Sequence, residues 1–295
     1  MNKVVRYAII AQFVTMSVLA NGWPGVNVKP LRKERSDLGP GQSGTYYYQL
    51  SDSERKELVW MAKAANAAYL GVSKPLGYRS FSKKEWDECA VGCVEIIYTE
   101  DGYFNVGSGL RGRLMVNMLN EGRVILAVGG CDFDLGLAEG MKDVRVAVKH
   151  YLSAMTESQY AEALQVMKGV LRVKPRTQLW IVGHSLGGSL TTYLALNLPQ
   201  SKTNVKCATF NGFGLSPKFN LHTGHEHLAK SRIRNVYCDG DPIYNNHFTR
   251  LLGLPDAVHL GASYSIKGEG VGFAQHSLDK MLELMIRDRT KWPGL

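Results

Sequence analysis

The stretch Leu179-Trp180-Ile181-Val182-Gly183-His184-Ser185-Leu186-Gly187-Gly188-Ser189 constrains the fold more than any other part of the chain. An apolar run enters Gly-His-Ser-Leu-Gly, and residues with a helical pattern follow. This is G-x-S-x-G in the setting that gives it meaning: strand, sharp turn, helix. At a turn this tight, a Cβ two residues to either side of the serine would collide with the neighbouring backbone, so Gly183 and Gly187 have a steric reason to be glycine. Ser185 is then held at the tip of a strand and at the start of a helix, where the helix dipole and free N–H groups favour negative charge. The alternative is an ordinary serine in a glycine-rich turn. The flanking strand and helix favour a nucleophile.

The rest of the composition is that of a globular domain. The chain has 295 residues, of which 45% are hydrophobic and 21% charged, enough for a sizeable core. The net charge of +9 points to an anionic partner or simply to a basic solvated surface. With no zinc-ligand pattern, basic heptad helix or aromatic RNA-binding strand, nucleic acid is not the expected partner. An anionic membrane surface remains as one. At the N-terminus, Lys3 and Arg6 precede a mostly apolar run from Tyr7 to Ala20, closed by Val18-Leu19-Ala20. This has the outline of a cleaved export signal over 1–20. The run is shorter than the roughly 20 apolar residues of a membrane span, so an uncleaved anchor is the second reading, and no further span is expected. Residues 21–50, rich in Gly and Pro and carrying Lys29, Arg32, Lys33 and Arg35, read as an extended arm. Residues 51–295 read as one domain. Of the five cysteines, Cys89 and Cys93 are close enough in sequence to pair. Cys207 and Cys238 fall in apolar runs and read as small core residues.

Taken in order, Ser51 or Ser53 caps a helix with Glu54 in its first turn. Leu58, Met61, Ala62, Ala65, Ala68 and Tyr69 form its buried face, and Gly71 ends it. A loop with a short helix near 82–88 follows. Strands are expected over 93–99, 103–106, 111–118 and 123–128, the first two joined at Asp101-Gly102, as an antiparallel meander feeding one sheet edge. Helical patterns lie at 144–152 and behind the capping box that starts at Thr156. Beyond the elbow come a helix to Leu198, strands at 205–210 and 233–238, a third near 258–266, and a closing helix from Leu278 to Arg289. Alternating strands and helices mean an α/β fold, a mostly parallel sheet with helices on both faces.

A serine hydroxyl needs a base, and the base needs a carboxylate to orient it. In this architecture they follow the serine in the order acid, then histidine, each at the C-terminal end of a strand. Asp239 and Asp241 both follow the 233–238 strand. Asp241 is preferred because Pro242 shapes a loop there, with Asp256 as the outsider. Among His247, His259 and His276, the last is preferred, since it follows a glycine-rich loop and leads into the closing helix. His184 reads as packing around the elbow. For the oxyanion, the residue after the nucleophile, Leu186, supplies one backbone N–H. The glycine-marked end of the 123–128 strand supplies the other, assigned to Cys131, and residues 134–142 could cover the site. His222, His225 and His227 could suggest a metal, but no matching ligand set accompanies them. A polar surface loop is the expectation, with no metal and no cofactor.

These motifs resemble the class 3 lipases, the fungal triacylglycerol-lipase-like branch of the α/β-hydrolases. The resemblance covers roughly residues 55–290. It rests on Val182-Gly183-His184-Ser185-Leu186-Gly187-Gly188, on Gly240-Asp241-Pro242-Ile243, on His276, on Ala67-Ala68-Tyr69 and on the strand 124–128. It implies lipid esters as substrates, a Ser185–Asp241–His276 triad and a cover over the site. The family usually carries Arg-Gly-Thr or Arg-Gly-Ser after the oxyanion strand, whereas this chain has Gly129-Gly130-Cys131, and a thiol is a weak donor where a hydroxyl is usual. The expectation is an exported hydrolase of lipid or phospholipid esters. The alternatives are a soluble short-chain esterase, an acyltransferase, and a catalytically weak binding protein on the same fold.

Overall fold

The structure, a computed structural model, describes residues 45–46, 49–69, 71–91, 97–99, 101–105, 110–119, 122–130, 158–198, 204–216, 223–246, 256–268 and 273–287. In chain order its elements are β1 (Thr45–Tyr46), α1 (Asp52–Asn66), β2 (Tyr78–Ser80), α2 (Lys83–Cys89), β3 (Ile97–Tyr98), β4 (Tyr103–Asn105), β5 (Arg111–Asn117) and β6 (Arg123–Val128). There follow α3 (Ser158–Val173), β7 (Gln178–His184), α4 (Leu186–Asn197), β8 (Val205–Phe210), α5 (Thr223–Arg232), β9 (Ile233–Cys238), β10 (Ala262–Ile266), a 3-10 turn (Phe273–His276) and α6 (Leu278–Arg287). The strands form one sheet in the order β1-β10-β9-β8-β7-β6-β5-β4-β3, with β2 pairing β5 beside that path. From β1 through β6 every pairing is parallel, and β6-β5-β4-β3 is the antiparallel meander.

Strand alternation decides the layers. In β6, Val124, Leu126 and Val128 face one core while Ile125 and Ala127 face the other. In β7, Leu179 and Ile181 oppose Trp180 and Val182 in the same way. The first core is closed by α2, α3, α4 and α5, through residues such as Trp86, Tyr160, Leu194 and Leu228. The second is closed by α1 and α6, through Leu58, Met61, Met281 and Leu284. A strand buried on both faces needs apolar residues throughout, which is why β6 and β7 were so plain in the sequence.

Several local readings are refined. The capping residue of α1 is Ser51, with Glu54 completing the capping box. The helix ends at Asn66, with Ala67 as its C-cap, so Tyr69 lies beyond it. The 74–86 loop contains β2, and Thr45–Tyr46, at the end of the arm, adds a parallel strand beside β10. The last strand begins at Ala262; Val258 makes only an isolated antiparallel bridge with Leu215. His225 and His227 sit on α5, where a polar loop had been expected: Leu228 and Ala229 bury one side of a weakly amphipathic segment, and tertiary packing makes it a helix. Cys89 is a buried free thiol, so it does not pair with Cys93; Cys207 and Cys238 are likewise free and buried. Burial pushes all three thiols up to about 12, which keeps them inert.

The export signal, most of the arm, Cys93, the Val144–Leu152 and Thr156 readings, the cover at 134–142, Cys131, His222 and His247 lie outside the described residues. Among the described residues no helix is long and apolar enough to cross a membrane.

Candidate active site

β6, β7, β8, β9 and β10 run parallel, so their C-terminal ends share one edge of the sheet; Ser185 and Leu186 follow β7, Asp241 follows β9, and His276 closes the 3-10 turn that comes after β10. Ser185 follows β7 directly. It has φ 58° and ψ −127° and makes no side-chain cap to α4, so its hydroxyl is not committed to the helix. The two glycines are sterically required as expected: a Cβ on Gly183 would overlap the Gly187 carbonyl, and one on Gly187 would overlap the Val128 carbonyl. Leu186 opens α4, where helix geometry leaves its N–H without an intrahelical acceptor.

The structure brings Ser185, His276 and Asp241 together. His276 Nε2 lies 2.8 Å from Ser185 Oγ, and His276 Nδ1 lies 2.8 Å from Asp241 Oδ2. Asp241 is wholly buried. Its other oxygen, Oδ1, accepts from the N–H groups of Ile243 and Tyr244 at 2.7 and 2.9 Å. Pro242 has no N–H to give, so the turn delivers the next two. With the carboxylate fixed, Nδ1 of a neutral His276 carries the proton, and Nε2 faces Ser185 as the acceptor. Asp239, the competing acid, lies on the exposed turn after β9, and partial desolvation there raises its pKa.

The other two described histidine candidates are buried and neutral. Burial, helped by the neighbouring His276 ring, pushes His184 down to about 3; burial alone dominates for His259, at about 4. His259 Nε2 bonds the Tyr244 carbonyl, and its ring stacks on Tyr244 with centroids 3.9 Å apart. It therefore supports the turn that holds Asp241.

Both imidazoles titrate from 6.5 when exposed. Below that pH the unfolded chain takes up protons that the folded chain refuses until about 4 and about 3. Stability is therefore expected to fall as the pH drops through this window, by up to about 1.4 kcal/mol per pH unit for each histidine. Urea midpoints at about pH 7 and about pH 5 would measure it, and identical midpoints would mean that neither ring is held neutral.

Two contributors went unrecognised in the sequence. Tyr69 was read as part of a buried helix face, yet its hydroxyl lies 2.7 Å from His184 Nδ1 and accepts from Gly130 N–H at 3.2 Å. Asn211, at the exit of β8, has φ 44°; its Nδ2 donates to the Gln275 carbonyl at 2.7 Å, and its Oδ1 accepts from Cys238 N–H at 2.8 Å. Asn at a tight strand exit is a weak signal for the left-handed conformation, and nothing in the sequence locates its partners. Arg111, buried in β5, donates to the Gly130 carbonyl at 2.5 Å. Among the described residues no group of three or more His, Cys, Asp or Glu side chains could hold a metal ion.

Comparison with known proteins bears on what this site does. The profile of a Tle-like phospholipase domain matches residues 60–286. No curated protein matches the chain in sequence. Among solved structures, the chain is similar to the Lip2 lipase from Yarrowia lipolytica, at 14% identity over 77% of this chain and 82% of that one, with a TM-score of 0.49. It is also similar to a triacylglycerol lipase from Penicillium expansum, at 20% identity over 76% and 82%, with a TM-score of 0.43. The Rhizomucor miehei lipase in its propeptide complex gives 12% identity over 74% and 70%, with a TM-score of 0.43.

Proposed function

The chain belongs to the Tle-like phospholipase domain family, ester hydrolases on an α/β-hydrolase fold, and from that premise we propose that it is an exported serine hydrolase cleaving carboxylic esters of phospholipid or other lipid. The supporting observation is the pair of 2.8 Å hydrogen bonds that joins Ser185 to Asp241 through His276. Ser185 Oγ attacks the acyl carbon as His276 Nε2 takes its proton. The tetrahedral oxyanion is held by the N–H groups of Leu186 and Cys131, the Gly130 N–H being engaged by Tyr69. The intermediate collapses, the alcohol leaves with the proton from His276, and a water activated by the same nitrogen releases the acid. Asp241 keeps the imidazole in the required tautomer and stabilises the imidazolium as it forms. No cofactor takes part. A basic chain, at +9, suits an anionic membrane surface, because long-range attraction raises the encounter rate.

The test is fatty-acid release from anionic phospholipid vesicles and from a soluble short-chain ester, by protein lacking residues 1–20. Release from vesicles that weakens as salt is raised is expected. Cleavage of the soluble ester alone would replace the phospholipase reading with that of a general esterase. Neither activity, in folded protein, would sink the hydrolytic reading and turn attention to Gly129-Gly130-Cys131.

A further inference from the structure

His184 sits beside the nucleophile, and the reaction as written above does not use it. Its two ring nitrogens are nevertheless both engaged across long sequence separations. Nε2 lies 2.7 Å from the backbone carbonyl of His276, and Nδ1 lies 2.7 Å from Tyr69 Oη. The direction of each bond is fixed. A carbonyl only accepts, so Nε2 carries the proton. A neutral ring then has a bare Nδ1, so Tyr69 donates to it. The same tyrosine oxygen accepts the N–H of Gly130, at the end of β6. One chain of bonds therefore runs from the Gly130 backbone through Tyr69 and His184 to the backbone of His276.

We propose that Tyr69 and His184 are positioning residues, a relay that holds the oxyanion side of the site and the backbone of the His276 base in one register. This rests on the hydrolytic role proposed for Ser185 and His276. His276 comes from a 3-10 turn of four residues, a short element whose aim needs outside support. Asn211 holds the Gln275 carbonyl and His184 holds the next one, so the base is pinned at two consecutive peptides. The Asn211 bond ties it to β8 and β9; the His184 bond ties it to β7 and, through Tyr69, to the end of β6. Gly130 is held as well by Arg111 at its carbonyl, and a Cβ there would lie 2.6 Å from the His184 carbonyl and 2.7 Å from Ser185 Cβ. The identity of residue 184 also matters electrostatically. Its ring lies 4.8 Å from that of His276, centroid to centroid. A neutral donor there does not oppose the imidazolium that forms on His276, whereas a lysine or arginine would.

The test pairs kinetics with 15N NMR of imidazole-labelled full chain, using Tyr69→Phe, His184→Gln and His184→Phe. In the wild type the His184 resonances are expected to show a protonated Nε2 and a hydrogen-bonded bare Nδ1 across neutral pH. Tyr69→Phe removes one hydroxyl. It should lower kcat about tenfold with KM nearly unchanged, the effect of roughly one neutral hydrogen bond, and it should move the His276 resonances although residue 69 does not bond that ring. His184→Gln offers an amide N–H to the His276 carbonyl and an oxygen to Tyr69, and should recover most of what His184→Phe loses. A proton on Nδ1 of His184 would overturn the relay. So would a Tyr69→Phe chain with lower stability but unchanged kcat and unmoved His276 resonances, since that is a purely structural tyrosine. A wild type that hydrolyses nothing would sink the functional reading instead, and the relay would then stand or fall on the resonances.

Discussion

Replacing Ser185 with alanine is expected to cut ester hydrolysis about 10⁴- to 10⁶-fold while leaving the fold intact. The magnitude follows from losing a nucleophile whose triad acts as a unit, so that the base and acid left behind contribute little on their own. The fold should survive because the hydroxyl does no structural work: it makes no cap to α4, and its hydrogen bond goes to His276, which keeps some exposure to water. A fluorophosphonate that phosphonylates the wild type should leave the variant unlabelled. Activity above about 1% of wild type in clean protein would place the nucleophile elsewhere. The backbone adds a companion result. At φ 58° and ψ −127° a residue with a Cβ is strained by about 1–3 kcal/mol. Ser185→Gly should therefore be as inactive as the alanine variant yet more stable than the wild type. A rise in melting temperature together with loss of turnover would show that this stability is given up to aim the hydroxyl at His276.

How much of this site was legible in the sequence depends on how local each constraint is. The elbow was legible because its sterics act within five residues: Gly183 and Gly187 are glycine for reasons that the neighbouring strand and helix alone impose. Asp241 and His276 were legible through chain order and loop placement, because this sheet puts such residues after particular strands. β6 and β7 announced themselves as continuous apolar runs, being buried on both faces. Tyr69 was not legible. Its spacing fits the buried face of α1, and only the turn after Ala67 carries its hydroxyl to His184, 115 residues away. Asn211 was missed for the same reason, since its partners are Cys238, at the end of β9, and Gln275, in the 3-10 turn, both far along the chain. β1 and β2 are two and three residues long, too short for periodicity to register, and they exist because an edge or a neighbouring strand offers them hydrogen bonds. α5 has little amphipathic pattern, and packing against the rest of the molecule made it a helix.

Asp241→Asn is expected to cost about 10⁴-fold in kcat, the loss typical of a triad in which the histidine is held in the wrong tautomer. Here the surrounding turn forces that outcome. Oδ1 of residue 241 accepts two backbone N–H groups, from Ile243 and Tyr244. An asparagine must keep its carbonyl oxygen in that place, because turning the amide round would set an NH2 against two buried donors, each unsatisfied group costing about 1–3 kcal/mol. The amide nitrogen therefore takes the position of Oδ2 and donates to His276 Nδ1. The imidazole proton moves to Nε2, which then faces Ser185 as a donor and cannot accept its hydrogen. Since both backbone bonds survive, the variant should fold, unlike Asp241→Ala, which would strand the two N–H groups in a wholly buried site. The checks are kcat, the rate of fluorophosphonate labelling, and the tautomer of His276 read from its 15N shifts. Full activity with His276 still protonated on Nδ1 would remove Asp241 from the mechanism and leave Asp239, the neighbouring carboxylate that partial desolvation already disturbs, as the residue to replace next.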